Sequence, residues 1–328
     1  GAGPDAKLAR RAAGGKGVTQ TAFGNRSKKN RSQIRGTLAY TARNSAFDAA
    51  PYSLNGQSLT KPAYSQNRYS FTIGGPLVIP KLLEDARTTF NLSFNGLRNT
   101  NPYSSFSTLP LADERAGDFS TLRRRSTVFD PQSAAPFPNN RVPAARFSDI
   151  ARKLLPMIPE PNQTGLLQNF RIVTAVPQHS DTFTYSIGRA VSKRDRLTFQ
   201  SSLQSRTGLN VMPYGFEDPN AGSGRNYDLR WNHTHSPRVI LTGHARYNFS
   251  RTEVLPFFAN RQDVSGALGI NGNSREPINW GPPNLNFTNF GDLSDGAHSD
   301  RRIHTFTYDG GVTIVRGRVT TTTGFEFH

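Results

Sequence analysis

Two histidines at alternate positions, His233 and His235, are a first candidate for chemistry in this sequence. On a β-strand, side chains two positions apart point to the same face, so the two imidazoles would form a possible metal-binding pair. The chain has no cysteine, which excludes thiolate metal sites and thiol catalysis. An isolated histidine pair is more often a polar feature of a strand, so we expect no bound metal.

A small acidic group is the second candidate, with Asp113, Glu114 and Asp118 close together in the sequence. General acid–base catalysis would require paired carboxylates in a pocket. The adjacent Arg115 favours a different role, in which local salt bridges hold a loop in place. The sequence contains no GxGxxG, Walker-type or HExxH motif. We therefore predict a protein that is not an enzyme, with no catalytic residue and no cofactor.

The strong positive charge is the third feature, because 40 Lys and Arg against 23 Asp and Glu give a formal charge of +17. The basic residues are spread along the chain, and Arg123–Arg125 are not interleaved with the aromatic residues that stack on nucleic-acid bases. We expect no nucleic-acid partner. The three arginines would meet either lipopolysaccharide phosphates or an anionic substrate, although a solvated loop tip is the simpler interpretation.

The elements that position these residues are predicted to be β-strands. Phe90, Leu92 and Phe94 alternate with polar residues, and 22 Phe and 10 Tyr favour strands over disorder. The same alternation recurs at 38–42, 69–73, 183–187, 197–203, 227–231, 239–249, 306–308 and 319–327. Several runs reach the nine to eleven residues of a tilted membrane-spanning strand. One face would then meet lipid and the other a water-filled lumen.

The links between these runs alternate in length, as they do in outer-membrane barrels. Short links are expected at 191–195 and 234–238, and a longer one at 204–225. The predicted fold is all-β, a partial antiparallel transmembrane β-barrel of about 8–10 strands of a larger barrel with long extracellular loops. The predicted segments are a linker or plug end at 1–33, barrel at 34–328, large loops at about 96–181 and 255–301, and a short helix at 148–157.

Several short motifs follow one another in a fixed order: RNSAFDA from Arg43, IGGPLVIPK from Ile73, ERAGDFS from Glu114, FPNNRVP from Phe137 and NWGPP from Asn279. This series resembles the Oar-like TonB-dependent receptors that are abundant in Acidobacteria. The motif positions are Arg43, Asn44, Phe47, Asp48, Gly74, Gly75, Pro76, Pro80, Glu114, Arg115, Gly117, Asp118, Phe119 and Trp280.

The resemblance implies the first part of a twenty-two-strand barrel in the bacterial outer membrane, closed around a plug that would precede this chain. It also implies uptake of a bulky nutrient, such as a glycan fragment, a peptide or a chelate, driven by the TonB complex. Lipid and lipopolysaccharide would surround the barrel. Judged by residue type alone, Trp231 and Trp280 fit an interfacial girdle with the many tyrosines, and ordinary packing explains them nearly as well. The alternatives are a structural or adhesive surface barrel without active import, and a soluble all-β carbohydrate-binding module.

Overall fold

A single antiparallel sheet of nine strands forms the body of the protein. The computed structural model describes residues 33–49, 63–79, 87–121 and 127–328. The strands follow one another in chain order and each pairs with the next. They are β1 (Arg35–Asn44), β2 (Ser65–Pro76), β3 (Thr88–Ser107), β4 (Phe170–Ala190), β5 (Asp195–Val211), β6 (Glu217–Ser236), β7 (Val239–Val254), β8 (Ser299–Arg316) and β9 (Val319–Phe327).

Helices are few and short in the described residues. They are α1 (Ala112–Arg115), α2 (Asp149–Leu154) and α3 (Val264–Ala267), with single 3₁₀ turns at Ser45–Phe47, Pro138–Asn140, Ala144–Arg146, Leu155–Met157 and Pro277–Asn279. Together, α2 and the 3₁₀ turn after it confirm the helix predicted at 148–157. Nowhere in the described part of the chain is a helix long and apolar enough to cross a membrane.

The two faces of the sheet differ in polarity, because directly paired residues of neighbouring strands share a face. One register row on the outward face is largely aromatic: Ile73, Leu92, Tyr185, Ser201, Tyr227, Tyr247 and Phe306. A neighbouring row on the inner face is polar throughout: Thr72, Ser93, Thr184, Ser202, Asn226, Asn248 and Thr305. The predicted apolar-out, polar-in pattern is therefore confirmed across the sheet.

Links at the two ends of the sheet differ in length. At one end the chain turns tightly at 191–194, 237–238 and 317–318, and the link 77–87 lies at the same end. At the other end lie the links 45–64, 108–169, 212–216 and 255–298. Outer-membrane barrels place short turns towards the periplasm and long loops outside. The second set is therefore the external side, and the sheet is an open, all-β antiparallel part of a barrel, as predicted.

The strands run further outwards than the sequence pattern predicts. The loop expected at 96–181 is confined to 108–169, and the long link expected at 204–225 is the short turn 212–216. The second large loop, expected at 255–301, spans 255–298. The sequence pattern underestimates strand length because apolar and polar residues alternate only where a strand contacts lipid. Above the lipid, the backbone hydrogen bonds between strands continue although the residues are mostly polar.

The buried apolar core lies outside the sheet, in a unit that we call the cap. The cap comprises the described residues of 108–169, 212–216 and 255–298. Its core residues come from all three links, with one contribution from the first residue of β4: Leu109, Leu154, Phe170, Tyr214, Phe258, Val264 and Leu293. Phe90, Leu92 and Phe94 are not among them, because they lie on the outward face of the sheet.

Candidate functional site

The ERAGDF motif is the structural centre of the first cap loop. Glu114 accepts a hydrogen bond from the backbone N–H of Leu111 at 2.7 Å and thereby caps the start of α1. The guanidinium of Arg115 donates to backbone carbonyls from both sides of the loop, those of Pro110, Leu155, Ile158 and Pro159. Buried carbonyls need such partners. Arg115 thus joins α1 to the chain after α2 through carbonyls, where the sequence suggested salt bridges.

Gly117 and Asp118 fix the return of the chain towards this motif. Gly117 has φ +87°, and a Cβ there would lie 2.5 Å from the carbonyl oxygen of Val142, so only glycine fits. Asp118 forms the predicted kind of local salt bridge, with Arg141 at 2.7 Å. Its hydrogen bond from the Ser120 side chain, and then the Arg141 charge, lower the pKa of Asp118.

Phe119 is bound to the FPNNRVP motif by two hydrogen bonds to Asn140, and the Asn140 side chain forms a third with Val128. The backbone N–H of Phe119 donates to the Asn140 carbonyl, and the Asn140 side chain donates back to the Phe119 carbonyl at 3.0 Å. The Asn140 side-chain oxygen also accepts from the N–H of Val128 at 2.7 Å. Asn139 and Asn140 both have left-handed φ angles, which asparagine tolerates better than most residues. Two motifs distant in sequence therefore form one turn.

The remaining motif positions end strands or lie at their borders. The Asn44 side chain accepts from the N–H of Ala46 at 2.8 Å, and Asp48 accepts from the Tyr64 hydroxyl at 2.6 Å. Phe47 is 84% exposed between them. Arg43 is paired in register with Gln66 of β2. The RNSAFD motif therefore ends β1 and ties the following turn to the start of β2.

Gly74, Gly75 and Pro76 occupy the periplasmic end of β2, which stops at Pro76 as predicted. A Cβ at Gly74 would lie 2.9 Å from the carbonyl oxygen of Phe90 on β3, so glycine permits this close approach. Pro80, the last residue of the predicted motif set in this segment, lies outside the described residues.

A partly open cavity of about 630 Å³ lies in the cap. Its volume falls within the range of small-molecule binding sites. Most of its lining is apolar and comes from the first and last cap loops, including Phe119, Phe147, Ile150, Leu154, Leu155, Ile158, Leu285, Phe287 and Phe290. Glu114, Arg115 and Gly117 also line it. The motif residues thus build the wall of a cavity, and this is the strongest candidate for a ligand site.

Two residues that the sequence did not single out hold the cap in place: Asn169 joins the two ends of the first loop, and Tyr214 joins the second loop to the last. Asn169, fully buried, both accepts from and donates to the backbone of Leu109, at 2.7 and 2.8 Å. The Tyr214 hydroxyl donates to the carbonyl of Gly291 and reaches the cavity wall. Burial raises the pKa of Tyr214 to about 12, so its proton is retained for this bond. No local pattern marks either residue, because their partners are remote in sequence.

A buried carboxyl pair lies where the last cap loop meets β6. Asp218 is fully buried and accepts from the N–H groups of Phe257 and Gly296, at 2.8 and 2.7 Å. Asp295 lies beside it, and one of its oxygens is buried without a hydrogen-bond partner. Burial, and then the charge of Asp218, raise the pKa of Asp295 to about 6. Protonation of Asp295 therefore stabilises the folded cap.

The inner wall of the sheet carries a second polar constellation, across β6, β7 and β8. His244 bridges two carboxylates, with Nε2 2.5 Å from Asp228 and Nδ1 2.9 Å from Asp309. Arg246 and Arg230 also approach Asp228, at 3.3 and 3.6 Å. The histidine is almost fully enclosed, whereas the Arg230 and Arg246 side chains are 54% and 42% exposed. The cluster fixes three strands and leaves two guanidinium groups facing the lumen.

This constellation was missed by sequence analysis, although each member stands at a polar position of the alternating pattern. Only the register brings the three strands together, since His244 is opposite Asp309 and Arg246 is opposite Asp228. Fixed, half-exposed guanidinium groups suit an anionic group on a passing solute. The two guanidinium groups can therefore bind and orient an anionic group of a solute in the lumen.

The histidine pair occupies the outward face near the periplasmic end of the sheet. The rings of His233 and His235 are 6.1 Å apart, and His233 Nδ1 lies 2.7 Å from Asp195. Within the described ranges, no group of three or more His, Cys, Asp or Glu side chains could hold a metal ion. The predicted cluster Arg123–Arg125 lies outside the described residues.

The two tryptophans have different positions, and only Trp231 lies where the girdle interpretation would place it. Trp231 lies on the outward face near the periplasmic turns, and its indole N–H donates to Asp195 at 3.1 Å. Trp280 belongs to the cap, where its indole N–H donates to the carbonyl of Arg275. For Trp280 the alternative interpretation, ordinary packing, fits better, because its indole is hydrogen-bonded within the loop 255–298.

Comparison with known proteins bears directly on this architecture. The sequence matches the family described as "Outer membrane beta barrel domain" over residues 32–328. No curated protein matches it. Among solved structures it is similar to the toluene transporter TodX of P. putida, with 9% identity and a TM-score of 0.28. That alignment covers 90% of this chain and 63% of the transporter, so this chain spans less than two thirds of its length.

The distant likeness to a transporter adds no argument about function. The family match, by contrast, includes every strand of the sheet and the whole cap, and it rules out a soluble carbohydrate-binding module. This chain belongs to the outer membrane beta-barrel family and is located in the bacterial outer membrane.

Proposed function

We propose that this chain is the first part of the barrel of an Oar-like TonB-dependent receptor, which imports a bulky nutrient. The observation that carries the proposal is the cavity in the cap, on the external side of the sheet. Its walls are built by the ERAGDF motif and stiffened by Arg115. A rigid site is ordered before the ligand arrives, which lowers the entropic cost of binding.

The inner wall supports the second stage of this function. After capture in the cap, a solute would pass the polar face of the sheet, where Arg230 and Arg246 extend from the His244 cluster. These groups can orient a polar or anionic solute without reacting with it. The protein acts by binding and gated passage and is not an enzyme. The TonB complex supplies the energy, through a plug that would precede this chain.

An uptake experiment tests the proposal. Cells that produce the full-length protein receive labelled pools of glycan fragments, peptides and metal chelates, and accumulation is compared in strains with and without TonB. We expect accumulation of one pool, and its loss without TonB. Accumulation that is independent of TonB refutes energised import. No accumulation, combined with surface attachment that depends on the protein, would support the structural or adhesive alternative.

A pair of variants tests the cavity within the same experiment. Ala151 lines the cavity, whereas Ala145 lies in an exposed turn of the same loop. Ala151→Trp fills the cavity and is expected to lower uptake at least tenfold at subsaturating substrate, roughly the loss of one good contact. Ala145→Trp should import at the wild-type rate. Equal uptake by both variants places the binding site elsewhere.

A further inference from the structure

Among the described residues, five aromatic side chains line the cavity in the cap: Phe119, Phe147, Tyr214, Phe287 and Phe290. They come from all three links of the cap, so no single segment of the chain builds the site. The four phenylalanines remain partly exposed, and Phe287 is 37% exposed. The cavity therefore presents apolar ring surface to water, and a ligand that covers this surface gains free energy.

The cavity rests against the core of the cap, which keeps the site from collapsing. Leu154 and Tyr214 belong both to the buried core and to the cavity wall. The Tyr214 hydroxyl is fixed by its hydrogen bond to a backbone carbonyl. Arg115 holds the carbonyls of Leu155 and Ile158, two further residues of the wall. Fixed walls keep their shape without a ligand, so binding costs little ordering of the protein.

The charged groups of the described wall are already bound within the protein. Glu114 caps the start of α1, and Arg115 donates to backbone carbonyls. Arg152 is exposed and is paired with Asp149 at 2.6 Å. The hydroxyl of Ser148 belongs to a residue that is exposed to water. A sugar, a peptide group or a charged chelate buried here would exchange its contacts with water for contacts with rings, which is unfavourable.

We propose that the cap cavity binds an uncharged aromatic group of the imported nutrient. Aromatic rings that pack against the phenylalanines gain more than the buried area alone provides. A ring system also has few rotatable bonds, so it loses less freedom on binding than an alkyl chain does. The inference rests on the proposed function, because it names the chemical class of ligand for the same site. The polar parts of the nutrient stay in water and meet Arg230 and Arg246 in the lumen.

Three glycosides that share one sugar test the proposal. The full-length protein, in lipid nanodiscs without detergent, is titrated with naphthyl, octyl and methyl β-D-glucoside, and equilibrium dialysis measures the bound ligand. We expect the naphthyl glycoside to bind roughly tenfold or more tightly than the methyl glycoside, as for one well-buried apolar group. The octyl glycoside should bind more weakly than the naphthyl glycoside. Equal affinities for the naphthyl and octyl glycosides, or no binding of the naphthyl glycoside, would overturn the proposal.

A matched pair of variants locates the bound ring. Phe287 lines the cavity and is 37% exposed, whereas Phe129 is 57% exposed in the first cap loop, outside the cavity wall. Replacement by leucine removes a ring at either position, keeps the side chain apolar and leaves the buried core intact. Phe287→Leu should weaken binding of the naphthyl glycoside roughly fivefold, the gain of one ring pair, and leave binding of the octyl glycoside unchanged.

Phe129→Leu should bind all three glycosides as the wild type does. If Phe287→Leu binds the naphthyl glycoside as tightly as Phe129→Leu, the cavity does not select a ring and the proposal is wrong. The measurement involves neither TonB nor uptake. Uptake that is independent of TonB, together with the expected binding, would therefore refute energised import and leave the class of ligand supported.

Discussion

The sheet and the cap of this protein place their apolar residues in opposite ways. In the sheet, Leu229 and Phe306 lie on the outward face and remain about half exposed. In the cap, Leu109 and Leu293 are completely buried in a core to which three links of the chain contribute. Apolar side chains are therefore exposed on the outward face of the sheet and buried in the core of the cap.

The difference shows that one chain is folded for two solvents. Lipid is as apolar as a leucine side chain, so the sheet gains nothing by hiding its leucines and must instead pair its backbone groups, which the nine-strand ladder does. The cap stands in water, where burial of apolar surface is the main favourable contribution. Stability in the sheet therefore depends on hydrogen bonds, and stability in the cap depends on packing.

The largest effect is expected from a deletion in the cap core. Leu293→Ala should destabilise the cap by about 2–5 kcal/mol, because it leaves a cavity beside the two hydrogen bonds that join residues 285 and 293. Hydrogen exchange of the 255–298 loop measures the loss. The matched Leu229→Ala, on the outward face of the sheet, should leave exchange in that loop unchanged. A similar loss in both variants would refute the distinction between the two regions.

An arginine introduced on each face of β5 in turn tests the assignment of the two faces of the sheet. Phe199 and Gln200 are adjacent on β5, and Phe199 contacts the rings of Tyr185 and Tyr227 on the outward face. Phe199→Arg should cost about 2–4 kcal/mol in lipid, the usual range for arginine at mid-membrane. Gln200→Arg, which faces the lumen, should cost almost nothing. Unfolding of the protein by urea in phospholipid vesicles measures both, and equal costs would contradict the lipid-facing assignment.

The smallest effect concerns the pH dependence of the cap. The pKa of Asp295 is raised to about 6 in the folded protein, from an ordinary value of 3.8. The folded cap therefore binds this proton more tightly than the unfolded chain does, so the contribution of Asp295 to cap stability is greatest below pH 4 and is lost as the pH rises through 6. Asp295→Asn should remove this fall and stabilise the cap by about 1 kcal/mol at pH 8, after allowance for partial solvent exposure.

Hydrogen exchange, corrected for the intrinsic chemical rate at each pH, measures this effect in the 255–298 loop. Asp149→Asn is the control, because Asp149 is an exposed carboxylate paired with Arg152 on the surface of α2. The control should follow the wild type at every pH. If Asp295→Asn shows the same pH profile as the wild type, the carboxyl pair with Asp218 does not govern the cap.

Strand positions could be predicted because period-two alternation is a local property of sequence. Phe90, Leu92 and Phe94 were placed on one face, and the structure agrees. The ends of β3 and β5 were not predictable in this way. Directly beyond Gly96 and Leu203 the outward positions turn polar, at Arg98 and Thr100 on β3 and at Ser205 and Thr207 on β5, yet the hydrogen-bond ladder continues to Ser107 and Val211.

The motifs were recognisable as a series, but their physical roles were visible only in the fold. Arg115 was expected to form salt bridges, and it instead binds backbone carbonyls beyond α2. The His244 cluster was invisible because its members look like ordinary polar residues on three separate strands. Only the register of β6, β7 and β8 makes them neighbours.

By itself, the sequence determined the all-β class, the two-faced strands and the membrane setting, because each depends on the order of residue types over a few positions. The tertiary structure decided which loops fold into a cap, where its cavity lies and which charges meet on the lumenal and outer walls. These depend on contacts between segments as far apart as Leu109 and Asn169, or Tyr214 and Gly291. Local periodicity carries no information about such pairs, and chain packing creates them.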